Sequence, residues 1–531
     1  MQNSIPTIFN DVLGPVMRGP SSSHTAGSYR IGRLLRDLTG NQPKSAIFEF
    51  HTGGSLATTH QTQGSDLGLA TGLAGLDILD PNMPDALAIA KNAGIDISFL
   101  VKDYAADHPN TYKCTLTDIF GNQYNAKAIS TGGGMIKVIS LMGFPTDIQG
   151  DENVLFAIFK DDSDCKARKS IEDIMINIPG YSNCEWVNDG FRNAVLYSFS
   201  EVPDIQSYNE TFESFLQLFR ILKPVMPVPG NSGAALPFSS LPELMQNADL
   251  MTLPASKLAR LFEQARSGYT MEQLNGMMDN LIAIWQNSIL VGLGGTSYPD
   301  RLVGSQSPGF TAKQKAGGLI EAGPLNTMIA YSTALMEVKS SMGVIVAAPT
   351  AGACGGLPGC LIGLADYQQD HSSLLDGFWA AGLVGLFIAM DATFAAEVAG
   401  CQAETGAGAA MAAAGLVEMA GGTAQQSFDA ASMALQNVMG LVCDPIANRV
   451  EIPCLSRNAN AAANALTSAN MILGGIQAVI PLNESIITMF KVGQLIPSSL
   501  RCTAICGLSD TPTARRLETG INSFEQSGNK Y

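Results

Sequence analysis

A chain of 531 residues is longer than one hydrophobic core serves, so about two to four units are expected, each with an interior of its own. Its 46% apolar and 15% charged residues exclude a disordered chain, and 54 glycines beside long Ala runs point to closely packed helices joined by tight turns. A formal charge of -16 argues against nucleic acid and an anionic membrane as partners, since both need clustered Lys and Arg to displace counterions.

Met1-Gln2-Asn3-Ser4-Ile5-Pro6 carries neither a basic segment nor an apolar stretch ending in small residues, so no secretory signal is read and a cytoplasmic protein is expected. To residue 150, strand-like runs mix with turn signals. Ala46-Ile47-Phe48-Glu49-Phe50 alternates, and Thr115-Leu116-Thr117-Asp118-Ile119-Phe120 precedes the turn pair Gly121-Asn122. This predicts an α+β unit over 1–150. From Asp151 a small second unit, 151–225, begins with the buried-strand run Val154-Leu155-Phe156-Ala157-Ile158-Phe159, continues with helical spacing over 166–176, and returns to a strand at Ala194-Val195-Leu196-Tyr197-Ser198-Phe199. The Pro and Gly density of residues 223–233, up to Ser232-Gly233, marks a linker or exposed connecting loop.

Beyond that boundary, residues 226–531 show helical periodicity broken by Gly and Pro rather than by strands, with no internal repeat. The uncharged stretch 340–365 is interrupted by Pro349, Pro358 and six glycines, which predicts buried loop and helix rather than a membrane span. The apolar run 377–390 covers 14 residues, short of the roughly 20 that a span needs, and predicts a core helix.

Ten cysteines are too sparse for a disulfide scaffold in this setting, and seven of them follow residue 350. Cys401, Cys443 and Cys454 each lie beside a turn or break, where backbone can curl around a cofactor and aim N–H groups at sulfur; three thiolates would leave one iron of a four-iron cluster open. The 41 and 10 intervening residues match no general ferredoxin or zinc pattern, so spacing alone favours cysteines that fill a tight Ala/Gly core. Cys354 and Cys360, flanking a Gly-rich loop, read as packing residues. Ser21-Ser22-Ser23-His24-Thr25 after Gly-Pro reads as a helix cap, and equally as a carboxylate seat, because free N–H groups and the helix dipole both favour an anion.

The words around these residues resemble those of bacterial iron-sulfur L-serine dehydratases over nearly the whole chain. They include residues 342–352 followed by Gly355, Leu357 and Pro358; Gly400-Cys401-Gln402 through Glu404 and Gly406; and residues 411–416. Cys443-Asp444-Pro445, Pro453-Cys454, Arg457-Asn458 and Leu500-Arg501 through Thr511-Pro512-Thr513 follow. In the first unit the words are Gly19-Pro20-Ser21-Ser22-Ser23-His24-Thr25, His108-Pro109-Asn110-Thr111 and Gly132-Gly133-Gly134.

The resemblance implies an L-serine ammonia-lyase, a carbon–oxygen lyase that makes pyruvate and ammonia. Its [4Fe-4S] cluster would be held by Cys401, Cys443 and Cys454, and the open iron would take the substrate hydroxyl. It further implies a homodimer and three parts: an N-terminal α/β sandwich-type beta domain (1–150), an ACT-like ferredoxin-fold domain (151–225) and an all-helical, cluster-binding alpha domain (226–531). The active site would lie between the first and last. Ser21, Ser22, Ser23 and Thr25 become the substrate seat, and His24 or His60 the base for the α-proton, a role His commonly fills.

One departure stands out. Where the family carries a His before the Asp of Thr62-Gln63-Gly64-Ser65-Asp66, this chain has Gln63, so either His60 or His24 takes the base role, or the reaction differs. Cys502 and Cys506 lie where some relatives place a terminal, cluster-capping cysteine, although about 25 residues follow here. Two rivals stay open: the same elimination on threonine or another β-substituted amino acid, and a non-catalytic, amino-acid-binding paralogue without a cluster.

Overall fold

The computed structural model describes residues 5–161, 165–231 and 233–526; residues 1–4 of the amino-terminal reading and Ser232 of the Pro/Gly connection lie outside them. The architecture is mixed α/β, with a sheet unit first, a smaller sheet unit second and a helical unit last, as expected.

The first sheet has six strands in the order Asp96–Lys102, Pro43–His51, Thr111–Asp118, Gln123–Gly132, Met135–Leu141 and Phe144–Ile148. Its first pair is parallel, with Ala46 opposite Ile97, and the connecting chain crosses over through helices Ser65–Ala74 and Ala86–Asn92. All other pairs are antiparallel. Buried and less buried residues alternate along Gln123–Gly132, so Tyr124, Ala126 and Ala128 face inward. This face packs on Leu34, Leu35 and Leu38 of helix Gly27–Leu38 and on Leu69 and Leu73 of helix Ser65–Ala74.

The second sheet runs Leu216–Leu222, Asn153–Phe159, Asn193–Phe199, Tyr181–Asn188, all antiparallel, with helices Cys165–Ile176 and Asn209–Phe215 in the crossovers. That is the ferredoxin-like order of the ACT-like expectation. Every residue of Asn153–Phe159 is buried, because both faces are covered. Leu155, Ala157 and Phe159 pack on Ile171, Met175 and Phe212, whereas Val154, Phe156 and Ile158 join Phe144 and Ile148 in the core of the first unit. The two sheet units therefore share an interior.

The helical unit is built around Leu374–Asp391, whose Phe378, Trp379, Leu383, Leu386 and Phe387 are fully buried. Among the described residues it is the helix long and apolar enough to cross a membrane, but most of it is enclosed by neighbouring helices, which makes it the core helix expected at 377–390. Helix Thr405–Met419 lies against it, its Ala and Gly residues letting the backbones approach closely.

Two features depart from the expected division. The helical part contains one short strand, Ile345–Val346, which pairs antiparallel with Val16–Met17 from the start of the chain. The turn Ile8–Val12, first in sequence, is buried in the helical core, where a Cβ at Gly385 would come 2.1 Å from Val12 Cγ1. Apolar segments go where they are covered, and Ile8 and Val12 are covered by helices. The Pro-rich connection after Leu222 has no regular structure among its described residues through Ser239, yet it is no free linker: Asn10 Nδ2 donates to the Val228 carbonyl at 2.7 Å, and Val228 N–H donates to Asn10 Oδ1 at 2.9 Å.

Candidate active site

The Ser-rich word forms a wide helical turn, Ser22–Ala26, that feeds directly into helix Gly27–Leu38. Ser21 caps it by accepting from His24 N–H. Helix Ser65–Ala74 presses against the turn through Gly68, where an added Cβ would sit 2.2 Å from the Thr25 carbonyl oxygen. Thr25 Oγ1 donates to the Gln63 carbonyl at 2.8 Å, and Ser130 Oγ to the Ser23 carbonyl at 2.7 Å, so the turn is held from both sides.

His24 is fully buried at the centre. Thr59 Oγ1 donates to the Ser55 carbonyl at 2.7 Å, which leaves it to accept from His24 Nε2–H at 2.8 Å. Nδ1 is then the acceptor, facing the Ser21 and Ser23 hydroxyls at 3.2 Å each. Ser23 Oγ donates to Glu397 Oε1 at 2.8 Å, and the same carboxylate oxygen lies 3.4 Å from His24 Nδ1. Burial pushes the imidazole below its usual pKa, against the upward pull of Glu397, and so favours the neutral form. Ser130, which holds the Ser23 carbonyl, also donates its N–H to the Asn110 carbonyl at 3.1 Å; Asn110 is 1% exposed and neither atom of its side-chain amide has a hydrogen-bond partner among the described residues, a costly state that a polar ligand would relieve.

His60 is placed differently. Its Nδ1 meets Asp66 Oδ1 at 2.7 Å and its ring packs on Phe50 and Phe99, with centroids 4.9 and 5.9 Å away. Gln63 is buried and its Nε2 points at Cys502 Sγ, 3.6 Å away.

The cysteines gather on the helical side of the same junction. Ligand atoms of Cys401, Glu404 and Cys443 all lie within 4.8 Å of one another. Cys502 joins Cys401 and Cys443 in one buried group, fixed by reciprocal backbone bonds: Cys443 N–H donates to the Leu500 carbonyl and Cys502 N–H to the Cys443 carbonyl, both at 2.8 Å. A hydrogen bond shared with Cys443, and then the Arg457 guanidinium, bring the Cys401 thiol down to about 6 despite its burial. Desolvation raises the Glu404 carboxyl well above its usual range, and Thr350 Oγ1 donates to it at 2.7 Å.

Cys454 opens helix Cys454–Leu473 but lies outside the 4.8 Å group and packs with Cys354, Met336 and Met342. Asn458 fastens it: Oδ1 accepts from Gly355 and Gly356 N–H at 3.0 and 2.9 Å, while Nδ2 donates to the Gly352 and Cys454 carbonyls at 2.8 Å each. The buried Lys339 ammonium donates to the Val450 carbonyl in the approach to Cys454. Cys360 faces Met328 Sδ and the Ala462 carbonyl, each at 3.9 Å, a packing position as expected.

The family model for the serine dehydratase alpha chain matches residues 222–509, more than half of the chain. The chain belongs to this family. It is 38% identical over 253 residues to the probable L-serine dehydratase alpha chain of Bacillus subtilis, covering 48% of this chain and 84% of that one. It is 42% identical over 151 residues to the probable beta chain of the same organism, covering 28% of this chain and 67% of that one. The L-serine dehydratase of Helicobacter pylori strain J99 aligns over 508 residues at 25% identity, spanning 93% of this chain and 96% of that one. Alpha-type and beta-type relatives thus match one chain, a fused-domain member of the L-serine dehydratase family.

In this chain the two sequence-derived groups meet. Ser22 Oγ accepts from Ala351 N–H at 3.1 Å, beside the Thr350 that holds Glu404. Glu397, Ser55, Thr59 and the orphaned Asn110 amide escaped the sequence reading as functional residues. Glu397 had one available signal: it precedes Cys401 by four residues in the short helix Ala396–Ala399, close to the cysteine's own turn.

Proposed function

We propose that the chain dehydrates and deaminates L-serine to pyruvate and ammonia with a [4Fe-4S] cluster held by Cys401, Cys443 and Cys454. The observation that carries this reading is a thiol-rich, buried donor set meeting, across one junction, a neutral buried His24 whose Nδ1 lies 3.4 Å from the Glu397 carboxylate of the opposite unit, with Ser23 Oγ donating to that carboxylate. The donor chemistry fits an iron-sulfur group: Cys401 and Cys443 are adjacent, the Cys401 thiol is brought down to about 6, and Cys454, its own thiol pushed up by burial, lies close enough to feel the charge of Cys401. Cys502, packed on Cys443, is a further thiol within reach of the same group.

When bound, a cluster with one iron free of cysteine supplies a Lewis acid for the departing β-hydroxyl. The remaining work falls to this chain. The Ser21–Ser23 hydroxyls and the Asn110 amide bind the amino-acid head group, Ser23 being oriented by Glu397. His24 takes the α-proton: its buried, neutral imidazole has a free-base nitrogen, Nδ1, facing those hydroxyls, whereas His60 is occupied by Asp66 and two aromatic rings. Loss of hydroxide then gives an enamine, whose imine tautomer hydrolyses to the 2-oxo acid and ammonia. The reading includes a cytoplasmic homodimer acting on a free amino acid, without nucleic acid or membrane as partner.

Anaerobic purification, an absorbance spectrum, an iron count and a pyruvate assay with L-serine before and after air test it. Brown protein whose L-serine activity dies in air is expected. Brown protein inert to L-serine but active on threonine would move the substrate to the larger β-hydroxy amino acid, which the Gln63 departure keeps in view; colourless protein without iron after reconstitution would remove the cluster.

A further inference from the structure

A cavity of about 470 Å³ opens where the three units meet, lined by no residue of the cysteine group. Its walls are apolar: Phe9 and Leu13 from the amino-terminal segment, Val225 and Met226 from the connection leaving the ferredoxin-like unit, and Met277 and Leu281 from helix Met271–Gly294. Two guanidinium groups, Arg30 and Arg33, line the same space from helix Gly27–Leu38.

Neither arginine has a carboxylate within ion-pair distance among the described residues. Arg30, 3% exposed, donates to the Gly134 carbonyl at 2.6 Å, and Arg33 donates to the Tyr29 hydroxyl at 3.2 Å; both partners are neutral. Asp11 is close enough for its charge to reach Arg30, without a hydrogen bond to it. Burying the Arg30 guanidinium beside apolar walls with only neutral hydrogen-bond partners is unfavourable unless an anion completes the site. The volume is within the range of small-molecule pockets, whose usual form is an apolar wall with a few convergent polar groups.

We propose that this cavity binds a small monocarboxylate with an aliphatic body, its carboxylate on Arg30 and Arg33 and its hydrocarbon against Leu13, Met226, Met277 and Leu281. A guanidinium fork matches a carboxylate in two parallel hydrogen bonds, which an uncharged amide of the same shape cannot reproduce. The site also touches the parts that set the active centre. Helix Gly27–Leu38 begins at the His24 turn; Gly14 and Pro15 bond the Ala347 backbone just before Thr350; and Val225 follows the last strand of the ferredoxin-like unit. An occupant would bridge all three units.

The test is calorimetric titration of the full chain with 4-methylpentanoate and, in parallel, with 4-methylpentanamide. Binding of the acid with the amide at least about tenfold weaker is expected, the difference made by charge-assisted hydrogen bonds. Arg33→Gln should lose a similar factor, and Met277→Trp, which fills the cavity, should abolish binding while circular dichroism and thermal midpoint show a folded chain. No heat with millimolar acid, equal binding of the amide, or binding that survives in a folded Met277→Trp would each overturn the proposal.

Discussion

The Ser23 hydroxyl donates to the Glu397 carboxylate at 2.8 Å, joining residues 374 positions apart and the two units that face each other across the active centre. A hydrogen bond to a charged, buried acceptor is worth about 1.5–3 kcal/mol, and here the loss falls on a group proposed to touch substrate. Ser23→Ala should therefore lower kcat/KM for L-serine by about tenfold or more, with the iron content unchanged; steady-state kinetics beside an iron assay check both.

Glu397 also sets the proton affinity of His24. Burial lowers the imidazole pKa and the carboxylate pulls it back up, so removing the charge in Glu397→Gln lets it fall further. A general base works when deprotonated, so the acid limb of the kcat/KM profile should move to lower pH in Glu397→Gln. An unmoved limb would separate His24 from proton transfer.

Cys401→Ser and Cys443→Ser should each strip bound iron to background, because their ligand atoms belong to the one such group within 4.8 Å among the described residues. Cys360→Ala is the contrasting case: its thiol faces Met328 and Ala462, so iron should be retained and only packing lost. Iron quantitation of the three variants decides this.

Asn458→Ala removes four hydrogen bonds at once and leaves buried Gly355 and Gly356 N–H groups without a partner. A cost of about 3–5 kcal/mol is expected, read as a lowered thermal midpoint, together with weaker iron retention as Cys454 loosens.

Glu263 is fully buried, accepts from Ile8 N–H at 2.8 Å, and has its carboxyl pushed up to about 7, mainly by burial. The folded chain holds this proton more tightly than the unfolded chain, so the contribution to stability is present below the unfolded value near 4.5 and is lost as pH rises through about 7. Glu263→Gln keeps an acceptor and cannot ionise. It should match the parent chain near pH 5 and exceed it near pH 8, by at most about 3 kcal/mol; thermal melts at the two pH values measure the difference.

The strands and the core helix were legible because their burial is written in period: 154–159 is continuously apolar and covered on both faces, and 377–390 is apolar all round and enclosed. The cysteines were legible only through the words around them, since their spacing matches no general rule. What stayed hidden depends on contacts across hundreds of residues. Glu397 reads as one carboxylate in an Ala-rich stretch until Ser23 is beside it, and Asn110 reads only as part of the word His108-Pro109-Asn110-Thr111 until its unpartnered amide is seen. His60 looked as eligible as His24, and only Asp66 and the two aromatic rings separate them.

The placement of Ile8–Val12 within the helical core, and the pairing of Val16–Met17 with Ile345–Val346, give the fusion of units a mechanical meaning. The His24 turn begins five residues beyond Met17, so its position is surveyed from the helical side before its own sheet is reached. A helical piece cut at residue 226 would carry an empty groove and a strand with no neighbour. Two separately made halves would rejoin by threading this amino-terminal arm back into its slot, making the arm the latch by which the halves recognise one another.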